Sequence, residues 1–479
     1  MSSPYYSQFG SGHPWGNYFV LSPDPDNEPS ILFFYDNDGN IRIREYDSYR
    51  VYDTSLPDGD PVGLLRDLQY NINTDTLVSY TWTDPSLDFD QLITLTTGDD
   101  VGLLGEDTIR FTDKNEFIDT LAGNDDIYAV GGHDVIYGRE GNDRLGSAEG
   151  PKVIFGNEGE DFLESGSGTG FLFGGADNDI LYGHERVDII SGGQGDDTLV
   201  GGSGEDILID LDGNNRFWGI SGDDFIIAGD GEDWITGNGG NDIIHAGGGD
   251  DRILGSDGDD TIFGEGGSDH ITGGSGEDVI YGGDDGDYIE GEGDNDILYG
   301  QGGSDTLKGF EGDDKLFADD PGSSEASTDK LYGGIGEDIL VSGSGRDILY
   351  GEEGNDLLVA SPNGQAVMHG GAGSDTFAFL DLPEGKAHNI EDFTFGEDVI
   401  NVSDVLDGYD PLTDYIGDFV RIFYRDAGRT DIKINADGEG DDWTPLVVVH
   451  ANFAGTSPAI MEINGDLVAD TKLFTGDWV

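Results

Sequence analysis

GGQGDDTLV (192–200), GGSGEDILI (201–209) and GGSGEDVIY (273–281) are three copies of one nine-residue pattern, and reading that pattern decides the fold. They sit in a run from 102 to 317 that divides into 24 consecutive nonads without an insertion or a deletion. Position 6 of the nonad is Asp in 20 of the 24, and position 8 is Ile or Leu in 23, with Phe217 the exception. Helix amphipathicity does not produce so strict a period; it requires the same short turn and the same short strand every nine residues. Glycines at positions 1, 2 and 4 permit positive φ and close backbone approach, so positions 1 to 6 form a tight turn with outward oxygens. Positions 7 to 9 then point outward, inward and outward, which places the Ile or Leu of position 8 inside. Two nonads close one 18-residue coil, and alternate nonads build alternate sheets.

One inward apolar residue in nine is a thin core, and a chain with no further stabilising agent would stay disordered. A row of Asp carboxylates and turn carbonyls, repeating every coil, offers only hard oxygen ligands. That donor set suits Ca2+ better than Mg2+, zinc or copper.

The nonads resemble the RTX (repeats-in-toxin) motif, G-G-x-G-x-D-x-U-x, the signature of a calcium-bound parallel β-roll. The resemblance implies multiple calcium ions, each between turns of successive coils and held by the position-6 Asp plus backbone carbonyls. Within the run the ligands so implied are Asp107, Asp125, Asp134, Asp143, Asp161, Asp179, Asp188, Asp197, Asp206, Asp224, Asp233, Asp242, Asp251, Asp260, Asp269, Asp278, Asp287, Asp296, Asp305 and Asp314. Beyond it they are Asp329, Asp338, Asp347, Asp356 and Asp375. Position 6 departs from Asp at Glu116, Lys152, Gly170 and Asn215. Lys152 cannot ligate calcium and is expected to set its ammonium where an ion would otherwise sit. Nonads 111–119, 147–155 and 165–173 feed one side of the roll, which is therefore expected to be short of ions near its N-terminal end.

The expected fold is all-β: a right-handed parallel β-roll, or β-solenoid, over 102–378, between a small β-rich N-terminal domain (1–101) and a C-terminal cap (379–479). ADDPGS (318–323) interrupts the register as a surface loop; four nonads follow over 324–359, then a ten-residue unit (360–369) and a last nonad, GGAGSDTFA (370–378). In the N-terminal domain, 30–35 and 41–46 read as a hairpin around Asp36-Asn37-Asp38-Gly39-Asn40, with Asp36 and Asp38 as turn residues. Segments 76–83 and 91–97 read as further strands, and Leu446–His450 as a buried one.

Asn389–Phe393, Gly396–Ile400 and Ser403–Leu406 resemble the stretch that closes many RTX proteins, and the final Gly476-Asp-Trp-Val479 is similar to the ends of type I secretion substrates. The resemblance implies a cap that also carries an uncleaved export signal. MSSPYYSQFG at the N-terminus has neither a basic n-region nor an apolar h-region and is not read as a Sec signal. There is no cysteine, hence no disulfide framework and no thiolate site. A net charge of −78, from 22 Lys and Arg against 100 Asp and Glu, argues against nucleic acid or an anionic membrane as partner. No stretch approaches the roughly 18 apolar residues of a membrane span.

The two sheets differ in what they point outward. One carries Arg144, Glu164, Arg216, Arg252, His270, Glu290 and Lys308 and reads as solvated. The other carries Phe155, Phe171, Phe173, Ile207, Phe225, Ile243, Tyr281 and Tyr299 among other apolar residues. A soluble monomer rarely leaves such a strip bare. Other copies of the protein, or its own terminal domains, are expected to cover it.

His184-Glu185-Arg186-Val187-Asp188 misses the zinc-protease pattern H-E-x-x-H at its last residue, and no G-x-S-x-G elbow is present, so no enzyme is expected. The expected function is a secreted calcium-binding structural protein that folds on Ca2+ outside the cell and self-assembles as a surface layer, fibre or matrix component. The alternative is an adhesin or carbohydrate-binding protein with 1–101 as its tip, where Tyr5, Tyr6, Trp15 and Tyr18 would stack on sugars; a secreted hydrolase is the third reading, behind both.

Overall fold

A residue that recurs at the same place in every coil stacks on its own copies, and this stacking organises the chain. The computed structural model describes residues 109–110, 116–120, 122–319, 327–383, 385–394, 396–406, 419–425, 429–435 and 443–450. It also gives the backbone of strands Asn17–Leu21, Ile31–Tyr35, Asn40–Glu45, Leu65–Asn71, Thr76–Trp82, Gln91–Thr94, Ile460–Ile463 and Asp466–Val468. Two compact units divide the chain, Met1–Arg216 and Phe217–Val479.

The first unit opens with an antiparallel meander of the five strands from Asn17 to Trp82, and its second and third strands are the expected hairpin. Two parallel sheets follow. In one, Ile136, Ile154, Leu172, Ile190 and Leu208 pair in succession; in the other, Ile127, Leu145, Leu163, Leu181 and Leu199 do. These are all position-8 residues, all essentially inaccessible. The pairing reaches back past the first nonad, because Gln91–Thr94 lies parallel to Glu116–Asp119.

The second unit repeats the arrangement. Ile244, Ile262, Ile280, Leu298 and Leu316 form one inner row, and Ile253, Ile271, Ile289 and Leu307 the other. Across the insertion the pairs become Leu316 with Leu340 and Leu307 with Leu331, so the extra residues leave the ladder without breaking it. The ten-residue unit is absorbed the same way, with Leu349 against Met368. Stacking then continues beyond the last nonad. His388–Ile390 and Val399–Asn401 add in parallel to the two sheets, and Thr444–Val449 pairs with His388–Ile390 and with the hairpin strand Arg429–Ile434. These non-repeat strands satisfy N–H and C=O groups that an open sheet edge would leave unpaired. Leu446, Val447 and Val449 are buried there, as expected of that segment.

The glycines of the turn serve different ends. Position 4 needs the left-handed backbone: Gly195 sits at φ 135°. Position 1 needs space, since a Cβ on Gly156 would run into Asp161 Oδ2 and the carbonyl of Gly174. Positions 2 and 4 both turn left-handed yet accept side chains, as at Arg139 (φ 84°), Asn157 (φ 84°) and Ile220 (φ 86°) for position 2 and at Asp177 (φ 75°) and Arg186 (φ 74°) for position 4. Each such residue costs about 1–2 kcal/mol, which explains why glycine is common there without being required.

Ile262 has no accessible surface. Ile262→Ala should lower stability in saturating calcium by about 2–5 kcal/mol, read by denaturant unfolding. A loss below about 1 kcal/mol would mean that the inner row is not the core.

Candidate metal centres

Each position-6 Asp has two oxygens with different tasks. Oδ1 accepts the backbone N–H of the position-6 residue one coil earlier. In the first unit Asp143 donates to Asp161 at 2.7 Å, Asp161 to Asp179 at 2.7 Å and Asp179 to Asp197 at 2.6 Å. In the second, Asp242 donates to Asp260 at 2.7 Å, Asp260 to Asp278 at 2.8 Å and Asp278 to Asp296 at 2.9 Å. The ladder crosses the insertion through Asp305 to Asp329 and Asp314 to Asp338, both 2.9 Å.

Oδ2 has no such donor. It is buried without a hydrogen-bond partner at Asp125, Asp143, Asp161, Asp179, Asp188 and Asp197 in the first unit. The same holds at Asp242, Asp251, Asp260, Asp269, Asp278, Asp287, Asp296, Asp305, Asp314, Asp338, Asp356 and Asp375 in the second. Asp206, Asp224 and Asp233 share the burial and the ladder, through bonds of 2.7–2.8 Å. Asp107 lies outside the described residues.

A Cβ on Gly156 would run into both Asp161 Oδ2 and the carbonyl of Gly174, and one on Gly282 into both Asp287 Oδ2 and the carbonyl of Gly300, so each pair of oxygens borders one space. Two acceptors that face one small space with no donor between them call for a cation. Among the described residues no three His, Asp or Glu side chains gather into a metal-binding cluster, so an ion here must use main-chain carbonyls as well. Calcium, which takes several oxygens in flexible geometry, fits that donor set.

Burial also moves the acidities. It pushes the Asp179 carboxyl up to about 9 and those of Asp143, Asp242, Asp287, Asp296 and Asp305 up to about 8, with neighbouring carboxylates adding to the rise. Asp269, Asp314 and Asp356 reach about 6.

The departures from the pattern are built rather than empty. Lys152 Nζ lies 2.9 Å from Asp134 Oδ2, with both side chains fully buried, and donates to the carbonyls of Gly132 (2.7 Å) and Glu149 (2.6 Å). An ammonium thus takes a carboxylate and two carbonyls, as expected of it. At Gly170 only the backbone survives, its N–H donating to Asp188 Oδ1. Asp329 and Asp347 stand in the ladder but their Oδ2 atoms accept from Ser327 Oγ (2.7 Å) and the Gly343 N–H (3.0 Å).

Two residues escaped the nonad count. Asp398 accepts the Asp375 N–H at 3.1 Å and extends the ladder into the cap. Its signal was Gly396-Glu-Asp-Val-Ile400, which copies positions 4 to 8 of a nonad. Asp210 is buried at position 1, where a carboxylate replaces the usual glycine.

On the apolar sheet, Phe171, Phe173, Ile207 and Phe225 are buried within the chain itself, while Phe155, Ile243, Tyr281 and Tyr299 are half-buried. In the second unit His245, Phe263, Tyr281, Tyr299 and Phe317 stack in one column with ring centroids 4.6–5.0 Å apart. On the other sheet Arg144, Arg216, Arg252 and His270 are exposed, as expected, whereas Glu164, Glu290 and Lys308 are half-buried. His184, from the near-miss of the protease pattern, pairs with Glu164 at 2.9 Å on the surface. The side chains of Tyr5, Tyr6, Trp15 and Tyr18, the turn at Asp36–Asp38 and the terminal 476–479 lie outside the described residues. Among the described residues no helix is long and apolar enough to cross a membrane.

Carboxyls whose folded pKa lies above the unfolded value of 3.8 bind their protons more tightly in the roll. The calcium-free roll is therefore most stable below about pH 4 and loses that stability as pH rises through 6 to 9. Circular dichroism in chelator should show β-structure gained on lowering the pH from 8 to 5; an unchanged spectrum would contradict the buried ladder. Lys152→Met leaves a buried charge unpaired, a change that costs about 3–5 kcal/mol. Hydrogen exchange of amides 134–140 should be less sensitive to calcium than that of the other coils in the wild type and should become as sensitive in this variant. Equal sensitivity in the wild type would remove the role given to Lys152.

The RTX calcium-binding nonapeptide repeat profile, which describes four copies, matches residues 112–145, 153–172, 173–208, 218–253, 254–289, 290–320 and 326–360. No curated protein matches the chain in sequence. Among solved structures the chain is similar to the AlgE6R3 subunit of the Azotobacter vinelandii mannuronan C5-epimerase. That match is 31% identical over 27% of this chain and 74% of the other, with a TM-score of 0.21. It is also similar to a hyperactive, Ca2+-dependent, β-helical antifreeze protein from an Antarctic bacterium, 20% identical over 61% of this chain and 80% of the other, with a TM-score of 0.22. With the repeat profile matched from 112 to 360 and the carboxylate ladder running through those same coils, the chain belongs to the RTX family of calcium-binding repeat proteins.

Proposed function

We propose that this chain is a secreted, non-enzymatic structural protein whose roll forms where calcium is plentiful, outside the cell, and whose copies then associate through the aromatic strip. The observation that supports the first half is the row of buried Oδ2 atoms without donors. Where free calcium is scarce, those carboxylates have no cation to face, and burying them unpaired opposes folding. The chain, with its net charge of −78, then stays open and suited to export through a channel. Calcium, when bound, supplies folding free energy directly. An export signal in the last residues, implied by the resemblance of Gly476–Val479 to type I substrates, completes the route.

The second half rests on the half-buried residues of the apolar sheet. Phe171, Phe173, Ile207 and Phe225 are already covered, so the contact between copies falls to Phe155 in the first unit and to Ile243, Tyr281 and Tyr299 in the second. Stacked rings at 4.8 Å spacing present a flat, rigid surface whose burial carries little entropic cost.

Size-exclusion chromatography with light scattering, in chelator and in about 5–10 mM calcium, tests both halves. The expected result is an expanded chain in chelator and large assemblies in calcium. Tyr281→Ser with Tyr299→Ser should return the calcium form to a monomer without changing its circular dichroism. A compact wild-type monomer in calcium would overturn association and leave a single-copy adhesin as the reading. Identical elution in both buffers would overturn calcium-driven folding.

A further inference from the structure

Nonad 210–218, DLDGNNRFW, breaks the pattern twice: Asn215 replaces Asp at position 6, and Asp210 replaces Gly at position 1. The two changes meet in one place. Asn215 Oδ1 accepts the Asp197 N–H at 2.8 Å, so the ladder continues through a neutral acceptor. Asp210 is 2% exposed, and its Oδ1 accepts only long bonds, 3.4 Å each, from the N–H groups of Gly193 and Asp212. Its Oδ2 is buried with no donor but the facing carboxyl of Asp197, and Asp197 Oδ2, on a residue 1% exposed, has none but that of Asp210.

Both oxygens border the same space, because a Cβ on Gly192 would run into Asp197 Oδ2 and Asp210 Oδ2 together. The equivalent space one coil earlier, at Gly174, is bounded by a single carboxylate oxygen, that of Asp179, and by the carbonyl of Gly192. The turn at Gly192 therefore presents two formal charges where its neighbour presents one. A proton can settle one of two adjoining buried carboxylates; a divalent cation settles both.

We propose that Asp197 and Asp210 form a two-carboxylate site for a divalent cation, which takes calcium more tightly than the single-carboxylate turns and fills before them. The proposal rests on the calcium reading of the turns and adds to it an order of filling. Affinity of oxygen sites for calcium rises with the number of charged ligands and with rigidity, and this pair is both charged and buried. Asp210 lies outside the repeat consensus, so the site is a property of this chain's own sequence.

Equilibrium dialysis of the full chain at buffered free calcium tests it, with the wild type beside Asp210→Asn, Asp210→Gly and Asp179→Asn. In the wild type the first ion should bind at a free calcium concentration about tenfold or more below the rest. Asp210→Asn should erase that early step and keep the later ones. Asp210→Gly restores the repeat consensus and should do the same, which guards against a folding defect special to the amide. Asp179→Asn should keep the early step and lose an ion from the later group. An early step unchanged in both Asp210 variants, or absent from the wild type, would overturn the proposal while the remaining turns still bound calcium. A wild type that bound no calcium at all would overturn the calcium reading itself.

Discussion

The hydrogen bond from one position-6 N–H to the Asp Oδ1 of the next coil is the interaction on which the rest of the structure depends. It fixes the spacing of the turns, and with it the stacking of position 8 and of the outward rings. It also fixes where the other carboxylate oxygen goes. With Oδ1 committed to the backbone, Oδ2 is held inside the turn, near a position-1 glycine and a carbonyl of the following coil. The same bond that builds the coil therefore builds a cation site. The preference for glycine at position 1 follows from this geometry, because at turns such as Gly156 and Gly282 a Cβ would occupy the space the two oxygens share.

The dependence on cations follows from the thinness of the core. One Ile or Leu per nonad is buried completely, yet nine residues are ordered to bury it, and that burial alone does not offset the loss of chain entropy. Buried carboxylates that face carbonyls make the balance worse until a positive charge joins them. The fold and the metal are in this sense one problem, and a chain whose turns were neutral would need a thicker core.

The parallel roll and its two rows of Asp were legible in the sequence because a strict period of nine leaves one inward position and one recurrent carboxylate. Lys152 could be assigned a surrogate role because its place in the period was known, but its partners, Asp134 and the carbonyls of Gly132 and Glu149, come from three different positions and could not be read. Asp329 and Asp347 looked identical to the others by period. Their Oδ2 atoms are answered by Ser327 at position 4 of one nonad and by the Gly343 N–H at position 2 of another, contacts that the period does not announce. Gln91–Thr94 and Leu446–His450 could be recognised as strands and the other cap strands could not, and their parallel addition to the repeat sheets is a long-range pairing that local pattern does not encode. The burial of Phe171, Phe173, Ile207 and Phe225 was invisible for the same reason.

The irregular coils separate the two tasks that a regular Asp combines. Asn215 keeps the acceptor and drops the charge. His388 does likewise further on, its Nδ1 accepting the Ala366 N–H at 3.1 Å, while burial lowers its pKa to about 4 and keeps the ring neutral. Gly170 drops both oxygens yet still donates its N–H to the ladder. Lys152 reverses the charge and supplies the cation from within the chain. In every one of these coils the residue at position 8, Phe217 among them, stays buried. The backbone ladder is therefore the requirement, and charge in the turn is a variable that each coil sets for itself. A roll built on that principle can carry strong, ordinary and cation-free turns side by side without any change in its fold.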